Sequence, residues 1–167
     1  PAGASISKVI LATAAVYFNR KLFTEADKEY QKVITLGPTQ NDFFEALFLS
    51  GQCNFGLEKW PEAISAFDRT WKESTSLTQR DEAYKLLLQS EFMNAKSIAA
   101  SGNFEKAALA FKSIDDKYPG SAYGDIVLFN AAEAYEKKEL WLQACDNYYN
   151  LVNRYPNSKF APDALFN

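Results

Sequence analysis

Histidine is absent from this 167-residue chain, and cysteine occurs only twice. The first absence removes the commonest general base and the commonest transition-metal ligand together. Cys53 and Cys145 are far apart and form no Cys-x-x-Cys pair, so a structural zinc site is not expected. Neither thiol has a histidine to activate it, and both are predicted to be buried free cysteines. No apolar run approaches the ~18 residues that a membrane-spanning helix needs. Basic residues are scattered and the net charge is -3, which argues against nucleic acid as a main partner.

The few acidic pairs carry no chemistry either. Asp115–Asp116 and Asp81–Glu82 are adjacent on helical stretches, so their carboxylates diverge by about 100° and cannot converge on one substrate atom. Both pairs are expected on solvated faces. The stretch SGNF at 101–104 has a single glycine and reads as a turn, not a phosphate cradle. No catalytic residue, cofactor site or metal site is expected, and the chain is read as a non-enzyme.

Apolar residues make up 47% and aromatics 15%, enough for a well-filled core. Their arrangement is periodic. A small residue, an aromatic four positions on and a closing proline recur as Ala26, Tyr30 and Pro38, as Ala107, Phe111 and Pro119, and as Ala144, Tyr148 and Pro156. Ala63 and Phe67 repeat the pair with Thr75 in the proline's place. Phe23, Trp60, Phe104 and Trp141 stand three residues before these alanines. The alanines are spaced by 37, 44 and 37 residues, and the long middle step adds about two helical turns.

Apolar positions recur at three and four, the helical period, and no strand-type alternation is present. Leading helices are predicted over roughly 6–20, 41–56, 79–101 and 123–138, and trailing helices over roughly 24–36, 61–74, 104–117 and 141–154. Thr78 with Asp81, and Thr24 with Asp27, have the spacing of a side-chain cap. Pro61 suits a first helical turn, where its missing N–H costs nothing. The third leading helix absorbs the extra length. The repeats run over about 6–38, 41–75, 79–119 and 123–156, with a partial unit at 157–167.

Two linkers are near copies. YPGSAYGDIVLFN at 118–130 and YPNSKFAPDALFN at 155–167 share six of thirteen positions. Each proline stops a helix, and Ser121 and Ser158 are placed to cap the next. Pro162 fits only the first turn of a new helix. APDALFN therefore reads as the first half of a fifth leading helix within a longer array, or as a short native cap.

These helix pairs, with Ala-x3-aromatic and a closing proline, resemble tetratricopeptide repeats. The resemblance spans nearly the whole chain and is strongest in repeats two and four, where Gly51, Ala63, Ala132, Tyr135, Ala144, Tyr148 and Pro156 match. It implies an all-α fold, a right-handed α-solenoid of about four helix pairs plus the start of a fifth, whose role is protein or peptide binding. The linkers further resemble those of bacterial envelope members, BamD-like outer-membrane assembly lipoproteins and Tol–Pal-associated periplasmic proteins. A periplasmic or outer-membrane-associated scaffold is the expectation. A structural spacer, a self-associating segment and a cytoplasmic peptide adaptor stay open as alternatives.

The resemblance also implies a groove lined by the leading helices. One row holds Leu11, Phe48, Phe92 and Phe129, and a second holds Ala15, Gln52, Lys96 and Glu133. Asn19, Asn130 and Lys137 lie near. Of these, Phe48, Gln52, Phe92, Lys96, Phe129, Asn130, Glu133 and Lys137 are the candidate partner-binding residues. The phenylalanines either present an apolar stripe to a partner or pack between leading helices. The Lys and Asn clamp for a C-terminal carboxylate is missing, because its positions hold Leu11, Ala15, Phe48 and Gln52.

Overall fold

Small residues at the helix contacts and aromatics four positions on set the architecture. The structure, a computed structural model, describes the backbone of residues 2–37 and 39–166 and the side chains of 6–37 and 39–165. Every described element is a helix: α1 (Ala2–Asn19), α2 (Phe23–Leu36), α3 (Gln40–Gly56), α4 (Trp60–Glu73), α5 (Leu77–Ala100), α6 (Phe104–Lys117), α7 (Gly124–Glu136), α8 (Trp141–Arg154) and α9 (Ala161–Phe166). No strand occurs among the described residues. The proline expected to close the first repeat, Pro38, and the side chain of Phe166 lie outside the described residues. Among the described residues, no helix is long and apolar enough to cross a membrane.

The chain divides into two compact units, residues 1–90 and 91–167, with the boundary inside α5. Within the first unit α1 packs on α2, α2 on α3 and α3 on α4. Within the second α6 packs on α7, α7 on α8 and α8 on α9. Each unit is thus a run of helices stacked on their sequence neighbours, the packing of a tetratricopeptide-like α-solenoid. The recurring alanines are at the contacts: Ala26, Ala63 and Ala107 are fully buried and Ala144 almost so. The aromatics that follow them, Tyr30, Phe67, Phe111 and Tyr148, are buried as well.

The turns inside the pairs share one geometry. Lys21, Glu58, Gly102 and Glu139 each adopt positive φ two residues before a trailing helix begins. The next residue, Leu22, Lys59, Asn103 or Leu140, donates its N–H back to the carbonyl of Tyr17, Asn54, Ile98 or Tyr135. This closes the leading helix with a left-handed residue, a position that suits glycine. Only Gly102 supplies one. Exposed Glu58, at φ 57, carries a steric cost that glycine would not. Glu58→Gly is therefore expected to raise stability by about 0.5–1 kcal/mol, read as a higher urea midpoint at unchanged m.

The two near-copy linkers also fold alike. Tyr118 and Tyr155 end their helices with nearly the same backbone angles, φ -129 and ψ 61 against φ -130 and ψ 59. In both, the serine N–H bonds the tyrosine carbonyl, and the serine carbonyl accepts from the residue three on, Gly124 or Ala161. Pro162 occupies the first turn of α9.

Several capping assignments change. Helix α5 begins at Leu77, so Thr78 is inside it; the Ser76 hydroxyl instead accepts from the Gln79 N–H at 3.3 Å. Helix α2 begins at Phe23 with no side-chain cap, and Asp27 is drawn instead into an interhelical network. Ser121 caps nothing, since its buried hydroxyl has no hydrogen-bond partner among the described residues. Ser158 accepts from the Phe160 N–H and donates to Asp125 of α7 at 2.7 Å. For Asp27 the reason is visible: the Ser50 hydroxyl of α3 competes for its carboxylate.

Candidate partner-binding site

The phenylalanine row packs against the recurring aromatics of the trailing helices. In the first unit the Phe48 ring is 7% exposed and meets Phe67 edge-on at 5.8 Å. In the second, Phe92 lies 5.6 Å from Phe111 and 5.4 Å from Tyr123, and Phe129 lies 5.8 Å from Tyr148 and stacks on Phe160 at 4.9 Å. Phe92 and Phe129 keep part of their surface open, whereas Phe48 is buried. Gln52 is half-buried in the first unit. Lys96 is exposed and holds its ammonium 5.8 Å from the centre of the Phe92 ring.

Asn130, Glu133 and Lys137 come together. Spaced by three and four on α7, they share one face of that helix. That face borders a cavity of about 170 Å³ whose other walls are Ala99 of α5, Phe104 and Phe111 of α6, and Ala134 of α7. The Asn130 side-chain amide donates to the Ile126 carbonyl at 2.7 Å, which fixes its orientation. Glu133 is exposed, and partial desolvation at the rim holds its carboxyl above the ordinary range; repulsion from Glu136 adds to this, and Lys137 partly offsets it. The rim is therefore polar and charged, and the floor is aromatic. The walls at Ala99, Phe104, Phe111 and Ala134 were not among the residues expected to bind. Phe104 and Phe111 carried a signal, as the two aromatics of the third repeat, but periodicity alone reads such residues as interior.

A second hollow, about 410 Å³ and mostly apolar, runs between α8 and α9 past Cys145, Tyr149, Val152 and Leu165. Cys145 is exposed there, against the expectation of two buried thiols. It follows buried Ala144 directly, and one residue turns the helix by about 100°, onto the outer face. Cys53 is buried, and its thiol is pushed up to about 12, chiefly by burial and then by the Asp27 charge. A maleimide reagent at neutral pH is expected to modify one thiol per folded chain, Cys145, and the second only on unfolding. Two rapid modifications in the native state would contradict the burial of Cys53.

The third hollow, about 470 Å³ between α2, α3 and α4, is lined by polar and apolar groups in equal measure. Its centre is Asp27, which accepts from the Ser50 hydroxyl at 2.5 Å and the Gln31 amide at 3.3 Å, with the Asn54 amide at 3.4 Å. Gln31 also donates to Ser50 at 2.9 Å. The donors that face Asp27 are satisfied from within the chain. Among the described residues no group of three or more His, Cys, Asp or Glu is placed to hold a metal ion.

Asp115 departs from the solvated face expected for it. It is buried at the end of α6 and forms a two-point ion pair with Arg154 of α8, at 2.5 and 2.9 Å. Asp116 remains exposed and pairs with Lys112 within the same helix, at 2.8 Å.

No curated protein matches the chain. The family model described as a tetratricopeptide repeat matches residues 127–158, from within α7 through α8 to the linker serine. That match, with all-helical units of stacked helix pairs, supports the tetratricopeptide-repeat family, whose repeats generally mediate contacts between proteins.

Proposed function

We propose that this chain is a non-catalytic protein–protein interaction scaffold that holds a partner segment on the faces of its leading helices. The observation that carries the proposal is the cavity beside α7. There Asn130, Glu133 and Lys137, expected from the repeat register to face a partner, rim an apolar floor. Phe92, Lys96 and Phe129 extend the same set, whereas Phe48 is buried against Phe67 and drops out of it. The paired linkers at 118–130 and 155–167 support a further step, that the scaffold works in a bacterial envelope assembly, periplasmic or outer-membrane-associated.

The binding proposal is tested with a photo-crosslinking amino acid at Lys137, with exposed Lys106 of α6 as the control position. A discrete partner adduct from position 137 alone is the expected result. Equal yields from both positions, or none, would refute it. The envelope proposal is tested by fractionating cells that make the natural full-length protein, and recovery from the cytoplasm would reject it.

A further inference from the structure

The geometry points to an acidic partner segment that lays two apolar anchor side chains on two aromatic pairs of the second unit. This rests on the reading of the leading-helix face as a partner site. The pairs are register copies of each other. Phe129 stands 37 residues after Phe92, and Phe160 stands 37 residues after Tyr123. In each pair a leading-helix ring meets the ring of the linker that follows. Phe92 lies 5.4 Å from Tyr123, and Phe129 lies 4.9 Å from Phe160. All four rings are half-buried. A linker ring that served only to cover the leading helix would leave it as buried as Phe48. Two half-open rings side by side instead give a joint apolar platform, the kind of surface on which a few anchors dominate binding.

Charge selects the segment. Lys96, one turn past Phe92, holds its ammonium 5.8 Å from the centre of that ring. Lys159, just before Phe160, holds its ammonium 4.9 Å from the Phe160 ring. The two lysines come from different register positions, since Glu133 and Ala122 stand in their places in the other repeat. Each aromatic pair nevertheless carries one cation. Both lysines are exposed, and among the described residues neither makes an ion pair within 4.0 Å. Asp163, four residues after Lys159, does not close on it. Lys32, Lys72, Lys112 and Lys117, by contrast, all pair with a carboxylate of this chain. Of the charged residues in the leading-helix rows, Lys96 and Lys137 outnumber Glu133, and Lys159 adds a third cation. A segment with acids beside its apolar anchors complements that excess, and a basic one is repelled. Two platforms on one segment make its binding bivalent, so losing either linker ring should weaken it to a similar degree.

The test uses the full chain and three sets of twelve-residue peptides, measured by fluorescence anisotropy. Each peptide has two leucines at varied spacing, flanked by aspartate, serine or lysine. Aspartate peptides are expected to bind about tenfold more tightly than serine ones, and lysine peptides more weakly still. Lys96→Glu with Lys159→Glu should turn the preference toward lysine peptides, while Lys106→Glu, at an exposed site on α6, should leave it unchanged. Tyr123→Ala and Phe160→Ala should each weaken the best aspartate peptide by a similar factor, at unchanged helix content. An aspartate preference that survives the double charge reversal, a Lys106→Glu effect as large, or a loss from only one linker ring overturns this inference and leaves the partner site standing. Leucine peptides that bind without regard to charge do the same. If no peptide binds, this inference falls, and crosslinking at position 137 decides the partner site by itself.

Discussion

Replacing Phe67 with alanine is expected to lower the free energy of unfolding by about 3–5 kcal/mol. The ring is fully buried on α4 and meets Phe48 edge-on at 5.8 Å. Helix α3 comes close to it at Gly51, where an added Cβ would sit 2.8 Å from the Phe67 ring edge. Glycine there lets the helix approach, and the ring fills the space that the approach leaves. Alanine at 67 empties that space, and the lining cannot collapse without moving α3 relative to α4. Domains of this size are stable by only about 5–15 kcal/mol, so the loss is a large share of the total. Phe92→Ala, at a half-buried ring, should cost less than Phe67→Ala. Urea melts of both variants check the order, and a Phe67→Ala loss below ~1 kcal/mol would show that the recurring aromatic is not a packing centre.

The second large effect concerns the buried ion pair. Arg154→Ala is expected to cost about 2–3 kcal/mol, less than a fully buried pair because the arginine side chain is 39% exposed. The carboxylate of Asp115, left behind at 6% side-chain exposure, loses both charged donors. Its hydrogen bonds are the leading reason that the Arg154 guanidinium is held above its ordinary range, so the proton stays on at any workable pH. The guanidinium also lies 5.4 Å from the centre of the Tyr155 ring, and alanine forfeits that contact too. Changing both partners to leucine should recover much of the loss, because no buried charge is then left alone. A double-mutant cycle measures the coupling. Two single losses that simply add would mean that the pair contributes nothing as a pair.

The helices were legible because their signals are local. Apolar residues at three and four, Pro61 in a first turn, and prolines that stop α6 and α8 are properties of a few adjacent positions. The seven extra residues of the third repeat went into α5, as its unbroken period indicated. Caps were less legible. Ser76 and Thr78 are both competent, and the choice depends on where the chain leaves the preceding turn. The candidate site was half legible. Repeat register placed Asn130, Glu133 and Lys137 on one face of α7, but most of the cavity's apolar wall comes from two other helices, at Ala99, Phe104 and Phe111.

The sequence by itself determined the all-α class, the number and order of the helices, and which face of each is apolar. Those follow from a period that one helix expresses alone. Only the tertiary structure decided that Asp115 is buried against Arg154, that Cys145 faces outward while Cys53 does not, and that Asp27 binds Ser50 and Gln31 instead of capping α2. Each of these outcomes depends on how neighbouring helices dock. Docking brings together residues as far apart as Asp115 and Arg154, 39 positions along the chain. A helical period says which way a side chain points, but not what stands opposite it.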